Sequence, residues 1–247
     1  ATGLPFAART SVSGLAPQPW PVCWFSRSNF GGSFSTMLKL AGWDGIVIEG
    51  KSDVPVYISI IDDKVELEDA KSLWGLSTWE TQEEIWRLHS ERARVRYGSE
   101  WQKLDRGYST LRPSIVTIGS AGENKTRIGS LVHAGGSGAG QGGFGSVFGS
   151  KNLKAVAVLG SGRIRLADPA GVRNAREWYT NTFGGRPNPT GSSACVGCNR
   201  SCHTRNTLFG MDSDGCMESV WYNLPSPPFK RTARSDALKA ADIAQRY

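Results

Sequence analysis

Gly135-Gly-Ser-Gly-Ala-Gly-Gln-Gly-Gly-Phe-Gly-Ser-Val-Phe-Gly149, closely followed by Lys154-Ala-Val-Ala-Val-Leu159, is the most informative stretch of this chain. Its glycine density permits positive φ and close approach to the backbone, and successive N–H groups of such a loop can cup a phosphate. Gly138, Gly140 and Gly143 satisfy the dinucleotide spacing GxGxxG. That fingerprint wants a helix next and an acid about twenty residues on. Two more glycines follow instead, and Arg163 stands where the acid should be, so a doubly wound dinucleotide fold is disfavoured. An anion-binding loop and a structural turn remain open. The run after it reads as a buried strand, because its β-branched residues suit an interior ladder.

Before the tract, residues 1–50 are rich in Gly, Ser and Pro and then turn helical at Phe34-Ser-Thr-Met-Leu-Lys-Leu-Ala41. Ile46-Val-Ile-Glu49 reads as a strand. Val56-Tyr-Ile-Ser-Ile-Ile61, the pair Asp62-Asp63 and Val65-Glu-Leu-Glu68 read as a hairpin. Ser77 is placed to cap a helix to about His89, whose acid-rich first turn suits the helix dipole. Ser114-Ile-Val-Thr-Ile-Gly119 and Arg127-Ile-Gly-Ser-Leu-Val-His133 read as further strands. After Arg165 the texture changes. Asp168-Pro169 is an N-cap with proline at the first helical position, opening a helix to about Thr182. Residues 184–193 form a Gly/Pro/Asn/Ser loop, and 235–247 read as helical. A domain boundary is expected near 163–168.

The 247 residues carry 39% hydrophobic and 21% charged side chains, which fits a globular protein with a sizeable core and argues against disorder. No run approaches the roughly 18 apolar residues of a membrane helix, so no membrane partner is expected. No signal peptide is visible, and a chain that begins at Ala1 without methionine is expected to have lost its true start to processing or truncation. The net charge of +7 admits nucleic acid or an anionic cofactor. The basic residues are scattered, apart from Lys230-Arg231 and Arg92/Arg94/Arg96, and read as a solvated surface.

Cysteines stand at 23, 195, 198, 202 and 216. The odd count and the tight triplet suit a metal or cluster better than a disulfide framework, and imply a reducing, cytoplasmic setting. In Cys195-Val-Gly-Cys198-Asn-Arg-Ser-Cys202, thiolates on a tight turn can converge on one iron–sulfur cubane. Zinc is the rival: the triplet with His203 or Cys216 would make a closed structural site, as in a basic nucleic-acid-binding module. Cys216 or a cysteine elsewhere could complete a cluster. A further candidate is Ser28-Asn-Phe-Gly-Gly-Ser33 before a helix, a pattern that can bind an anion or simply turn the chain.

Taken together, these segments resemble the aldehyde:ferredoxin oxidoreductase family. Asn29-Phe-Gly-Gly32 and Leu38-Lys-Leu-Ala-Gly-Trp-Asp-Gly-Ile-Val-Ile-Glu-Gly-Lys51 are similar to two of its signatures. Ile118-Gly-Ser-Ala-Gly-Glu-Asn124 resembles a third, and Gly138-Ala-Gly-Gln-Gly-Gly-Phe-Gly-Ser-Val-Phe-Gly-Ser-Lys-Asn-Leu-Lys-Ala155 a fourth. The cysteine triplet follows in the expected order.

The resemblance implies an α+β chain. Residues 1–165 would form a β-rich base for the cofactor, and 166–247 the start of a mainly helical domain carrying the cluster cysteines. It implies a tungsten or molybdenum ion held by two pterins (tungstopterin or molybdopterin), with a [4Fe–4S] cluster on Cys195, Cys198 and Cys202. Its fourth ligand would lie beyond residue 247 rather than at Cys216. Mg²⁺ would bridge the pterin phosphates, reached by backbone carbonyls of Asn29 and Ala139. Gly31, Gly32, Gly140, Gly142 and Gly143 would cradle those phosphates. Arg9 would lie between pterin and cluster, and Glu218 would match an active-site glutamate.

The commonest reaction of the family oxidises an aldehyde to a carboxylate and passes electrons to ferredoxin or an electron-transfer subunit. Acyl-CoA ring reduction and 2-hydroxy acid oxidation are variants. The remaining C-terminal part of the enzyme is an expected partner, the assembly an expected oligomer, and nucleic acid is not expected. This chain would be a fragment of the enzyme or part of a split one. It departs from the family at Asn199 (usually Pro), at Gly138 and Gln141 (both usually Arg), and at Leu15-Ala-Pro-Gln-Pro19, which replaces Ser-Pro-Leu-Thr-Gly with extra residues. These departures bear on substrate class and pterin contacts, not on the fold.

Overall fold

A computed structural model describes residues 9–97, 112–133, 137–183, 243–244 and 246–247. In chain order the elements are β1 (Thr10–Ala16), β2 (Trp24–Phe30), α1 (Phe34–Leu40), β3 (Val56–Ile61), β4 (Lys64–Asp69), α2 (Thr78–Tyr97) and β5 (Ser114–Thr117). They continue with α3 (Ser120–Glu123), β6 (Leu131–His133), β7 (Ser137–Ala139), α4 (Phe144–Ser150), β8 (Leu153–Leu159) and α5 (Pro169–Phe183). Strands β1 and β2 pair as a separate antiparallel hairpin, and the other six form one sheet in the order β4-β3-β8-β5-β6-β7. All its pairings are antiparallel except β3 with β8. The fold is therefore the expected mixed, β-rich α+β type.

Both faces of the central strands are covered, which explains why β8 reads as a nearly unbroken apolar run. On one face Tyr57, Ile115, Ala155 and Ala157 pack with Leu73 and with Ile85 of α2. On the other, Ile60, Val116, Val156 and Val158 pack with Phe34 and Met37 of α1, Phe144 and Phe148 of α4, and Phe30 of the hairpin. No helix of the described residues is long and apolar enough to cross a membrane.

Local chemistry accounts for the element ends. Ser77 and Glu80 form a reciprocal cap on α2: the Ser77 N–H donates to Glu80 Oε2 at 2.8 Å and the Glu80 N–H to Ser77 Oγ at 3.3 Å. Those bonds hold the Glu80 carboxyl below the usual range. Asp168 Oδ1 accepts the Gly171 N–H at 2.8 Å, so the expected cap of α5 is in place. The hairpin β3–β4 turns at Asp62-Asp63, with Asp62 at φ 53.

Several expectations need correction. Residues 46–49 form no ladder among the described residues, although Ile46 and Ile48 keep a strand's alternation by packing on the core. The strand expected over 127–133 is confined to Leu131–His133, because the 126–130 segment instead takes turn hydrogen bonds and lies against α4. A helix does follow the glycine tract. Gly143 starts α4 in the left-handed region (φ 73), and the glycines of α4 let it lie directly on the 122–130 backbone. The tract is thus a packing device here, not a helix breaker. The hairpin β1–β2 lies in a Gly/Ser/Pro-rich region that gave no strand signal.

The Lys154 side chain has no solvent exposure. Its ammonium donates to the Leu76 carbonyl at 2.8 Å and pairs with Glu123, whose oxygens also accept the Gly75 N–H at 3.0 Å. Burial lowers the Lys154 pKa, and pairing with Glu123 opposes the shift. The folded value lies below the ordinary one, so between the two the unfolded chain binds more protons and stability from this group rises with pH. Glu123→Gln should cost about 3–5 kcal/mol near neutral pH, because it leaves the ammonium buried without its counter-charge. That deficit should shrink toward alkaline pH as the amine sheds its proton. Urea unfolding of the variant across pH checks this; a pH-independent deficit contradicts it.

Candidate functional site

The hairpin β1–β2 presents two different faces. Val12, Gly14, Ala16, Ser28 and Phe30 turn inward, whereas Arg9, Ser11, Ser13, Arg27 and Asn29 are exposed or outward-facing. Ser11 lies opposite Asn29 and Ser13 opposite Arg27. Thr10 pairs with Phe30, so Arg9 sits beside the turn that leaves β2. The sequence places a cation, an amide and hydroxyls on one outer face without any regular apolar alternation.

The 28–33 and 137–143 segments come together along β2, which packs beside β7 and the tight turn Gln141–Gly143. They meet over a strip rather than at one point. At one end, Gly32 and Ser33 lie against His133, which pairs with Ser137. At the other, the Gly142 N–H donates to Gln18 Oε1 at 2.7 Å, and Gly143 lies against Pro17. Pro17 and Gln18 follow Ala16, which pairs with Trp24; Asn29 is five residues from Trp24 along β2, roughly 17 Å of strand.

The glycines differ in what they are for. Gly32 has φ 88, and a Cβ there would run into the His133 ring. Gly143 has φ 73, and a Cβ would run into the Arg127 carbonyl. Both are demanded by the protein's own packing. Gly140 is different. It is exposed, its φ is −79, and among the described residues a Cβ would find only Ser130 Oγ, at 3.4 Å. Gly138 is also exposed, with nothing closer to a Cβ than the Leu131 carbonyl at 3.8 Å. An anionic ligand fits this bare backbone. At Gly142 a side-chain oxygen already occupies the position that a ligand oxygen would take.

Ala139 and Gly31 are buried, whereas Asn29 is exposed. Cys195, Cys198, Cys202, Cys216 and Glu218 lie outside the described residues. Three participants have no signal in the sequence reading. Gln18 belongs to the Pro-rich insertion, Arg27 shows only in the register of the hairpin, and His133 is visible only once β6 is placed beside the turn after β2.

A family model described as "Aldehyde ferredoxin oxidoreductase, N-terminal domain" matches residues 1–160. The tungsten-containing aldehyde ferredoxin oxidoreductase of Pyrococcus horikoshii is 41% identical over 145 residues, 59% of this chain and 21% of that protein. That of Thermococcus kodakarensis is 40% identical over 167 residues, 68% of this chain and 24% of that protein. An aliphatic sulfonate oxidoreductase, WOR-like subunit, of Pyrococcus furiosus is 43% identical over 129 residues, 51% of this chain and 19% of that protein. Among solved structures, the active site complex BamBC of benzoyl coenzyme A reductase with 1,5-dienoyl-CoA superposes with a TM-score of 0.61 at 26% identity, covering 98% of this chain and 34% of that one. The matches to the two aldehyde ferredoxin oxidoreductases thus span about a fifth to a quarter of those proteins. The chain belongs to the aldehyde ferredoxin oxidoreductase family, through its N-terminal domain.

Proposed function

We propose that residues 1–165 form the base on which a tungsten- or molybdenum-bis-pterin lies, in an enzyme that oxidises an aldehyde to a carboxylate. The observation that carries this reading is the exposed strip along β2, bare of side chains at Gly138 and Gly140 and flanked by Arg9, Arg27 and Asn29. Its length suits an extended anionic ligand better than a single phosphate. Arg9 offers a planar set of donors for phosphate or cluster sulfur. The Asn29 and Ala139 carbonyls would help hold a Mg²⁺, because that cation takes oxygen ligands. The Gly140 amide and its neighbours would donate to the phosphates.

Cys195, Cys198 and Cys202 would hold a [4Fe–4S] cluster with a fourth ligand from beyond residue 247, and Glu218 would serve the active site. The domain starting at α5 would carry them. Held by these residues, the pterin-bound metal would supply two-electron chemistry and the cluster one-electron transfer toward ferredoxin or an electron-transfer subunit. Oxidation of an aldehyde also takes up a water oxygen and releases protons, for which Glu218 would be a proton acceptor. A reducing, cytoplasmic setting and an oligomeric assembly with the rest of the enzyme complete the proposal. A second reading, reduction of an aromatic acyl-CoA, is favoured by the superposition on the benzoyl coenzyme A reductase complex over nearly the whole chain.

Metal analysis of the full-length protein should find iron with tungsten or molybdenum, and pterin. Zinc alone would remove the proposal. Cys195→Ser should lose iron, whereas Cys216→Ser should keep both iron content and cluster spectrum.

Two glycine variants separate ligand from packing. Gly140→Val should keep its melting temperature to within about 2–4 °C, a change of ~1 kcal/mol or less, yet lose most of its pterin and metal. Gly143→Ala should instead unfold earlier, by ~1 kcal/mol or more, because it combines a positive φ with a steric clash. Full loading of Gly140→Val contradicts the assigned strip.

A further inference from the structure

We propose that His133 is a positioning residue that sets the shape of the 31–33 turn through one ring nitrogen; its bearing on the cofactor rests on the reading of that turn as part of the pterin base. His133 is 1% exposed, lies on β6, and is not itself among the residues expected to touch the cofactor. Its Nε2 accepts the Ser33 N–H at 3.0 Å. An N–H can donate only to a bare nitrogen, so the proton of the neutral ring sits on Nδ1, which lies 2.5 Å from the Ile115 carbonyl and donates to it. The ring is thereby fixed at both ends, by β5 on one side and by the turn on the other.

The rest of its surroundings follow from that placement. Phe30 and Phe34, the residues on either side of the turn, hold the ring with centroids 5.7 and 6.0 Å away. Gly32 lies flat on the Cδ2–Nε2 edge at φ 88, where no side chain fits. Ser33 Oγ and Ser114 Oγ, 2.6 Å apart, close the same corner. The Gly31–Gly32 backbone, between the end of β2 and Ser33, therefore takes its orientation from a nitrogen 100 residues away in sequence. Without that acceptor, the Ser33 N–H is left beside an apolar cluster and the turn must move to find another partner.

Two substitutions divide the ring's functions. Glutamine carries its side-chain oxygen at the reach of Nε2 and can still accept the Ser33 N–H. Asparagine reaches only as far as Nδ1 and can bond Ile115 but not Ser33. Both lose the same aromatic contacts with Phe30 and Phe34, so both should lower thermal stability comparably.

Hydrogen–deuterium exchange of the full-length protein is the first measurement. Peptides covering 30–36 should exchange at least about tenfold faster in His133→Asn than in His133→Gln, with β3 peptides as an unchanged control. The second is pterin and tungsten or molybdenum per chain, expected near the parent level in His133→Gln and severalfold lower in His133→Asn. Equal exchange in the two variants would overturn the positioning role. Equal loading beside unequal exchange would overturn its bearing on the cofactor. A parent protein that carries no pterin, yet shows the exchange difference, would retain the positioning role and remove the ligand reading instead.

Discussion

A lysine ammonium shut away from solvent has few places to go, and in this protein that constraint organises the middle of the fold. Lys154 stands in the central strand, but its charge is answered by Glu123 from α3 and by the Leu76 carbonyl from the segment before α2. Glu123 in turn takes the Gly75 N–H. Three segments that share no ladder are thus tied at one charge. An apolar side chain at 154 would fill the volume as well, since replacing whole buried ion pairs by hydrophobic groups is often neutral or stabilising. What the ion pair adds is a geometric condition: the Lys154 charge is satisfied in the core only with α3 and the 75–76 turn both in place.

The site inherits its order from that core. α4 is held against the 122–130 backbone, which begins with α3, and β7 extends the sheet beyond β6. The glycine tract between them is stretched along β2 instead of closing on itself. Among the described residues, the hairpin β1–β2 packs on this body through its inner face. Its outer face is left with polar and cationic groups at one end and with Leu15 and Phe25 at the other, the latter 72% exposed. A surface with this gradient suits a ligand that is anionic and polar over part of its length and is covered by apolar protein over the rest.

Much of the fold was legible where pattern and period agreed. The β3–β4 hairpin, the cap of α2, the start of α5 and the interior strand β8 all carry local signals, namely alternation, Ser77 with Glu80, Asp168 with Pro169, and a β-branched run. The misses have physical causes. Strand β1 is Thr-Ser-Val-Ser-Gly-Leu-Ala, whose small polar residues look like loop until Phe30 and Phe144 bury its inner side. Residues 46–49 have a strand's composition but no ladder partner among the described residues, and composition cannot supply one. α4 carries no helical signal because glycine counts against a helix in sequence, whereas here Gly145 and Gly149 make room for a crossing backbone. The motifs around Asn29 and Ala139 were found by resemblance. What holds them, His133 and Gln18, was invisible because their contacts join residues 100 and 124 positions apart.

The order of strands in the large sheet has a consequence for how such a chain is made. β8 comes last of the six in sequence yet lies third in space, between β3 and β5. Until it leaves the ribosome, β3–β4 and β5–β6–β7 are separate fragments with no strand in common, each with an unpaired edge open to a neighbouring chain. Val56 must then wait for Leu153, a contact of long sequence separation that makes assembly slow compared with local pairing. The hazard of misassociation is concentrated in the interval before β8 is synthesised. The pairing of β8 with β3 on one edge and β5 on the other closes that interval.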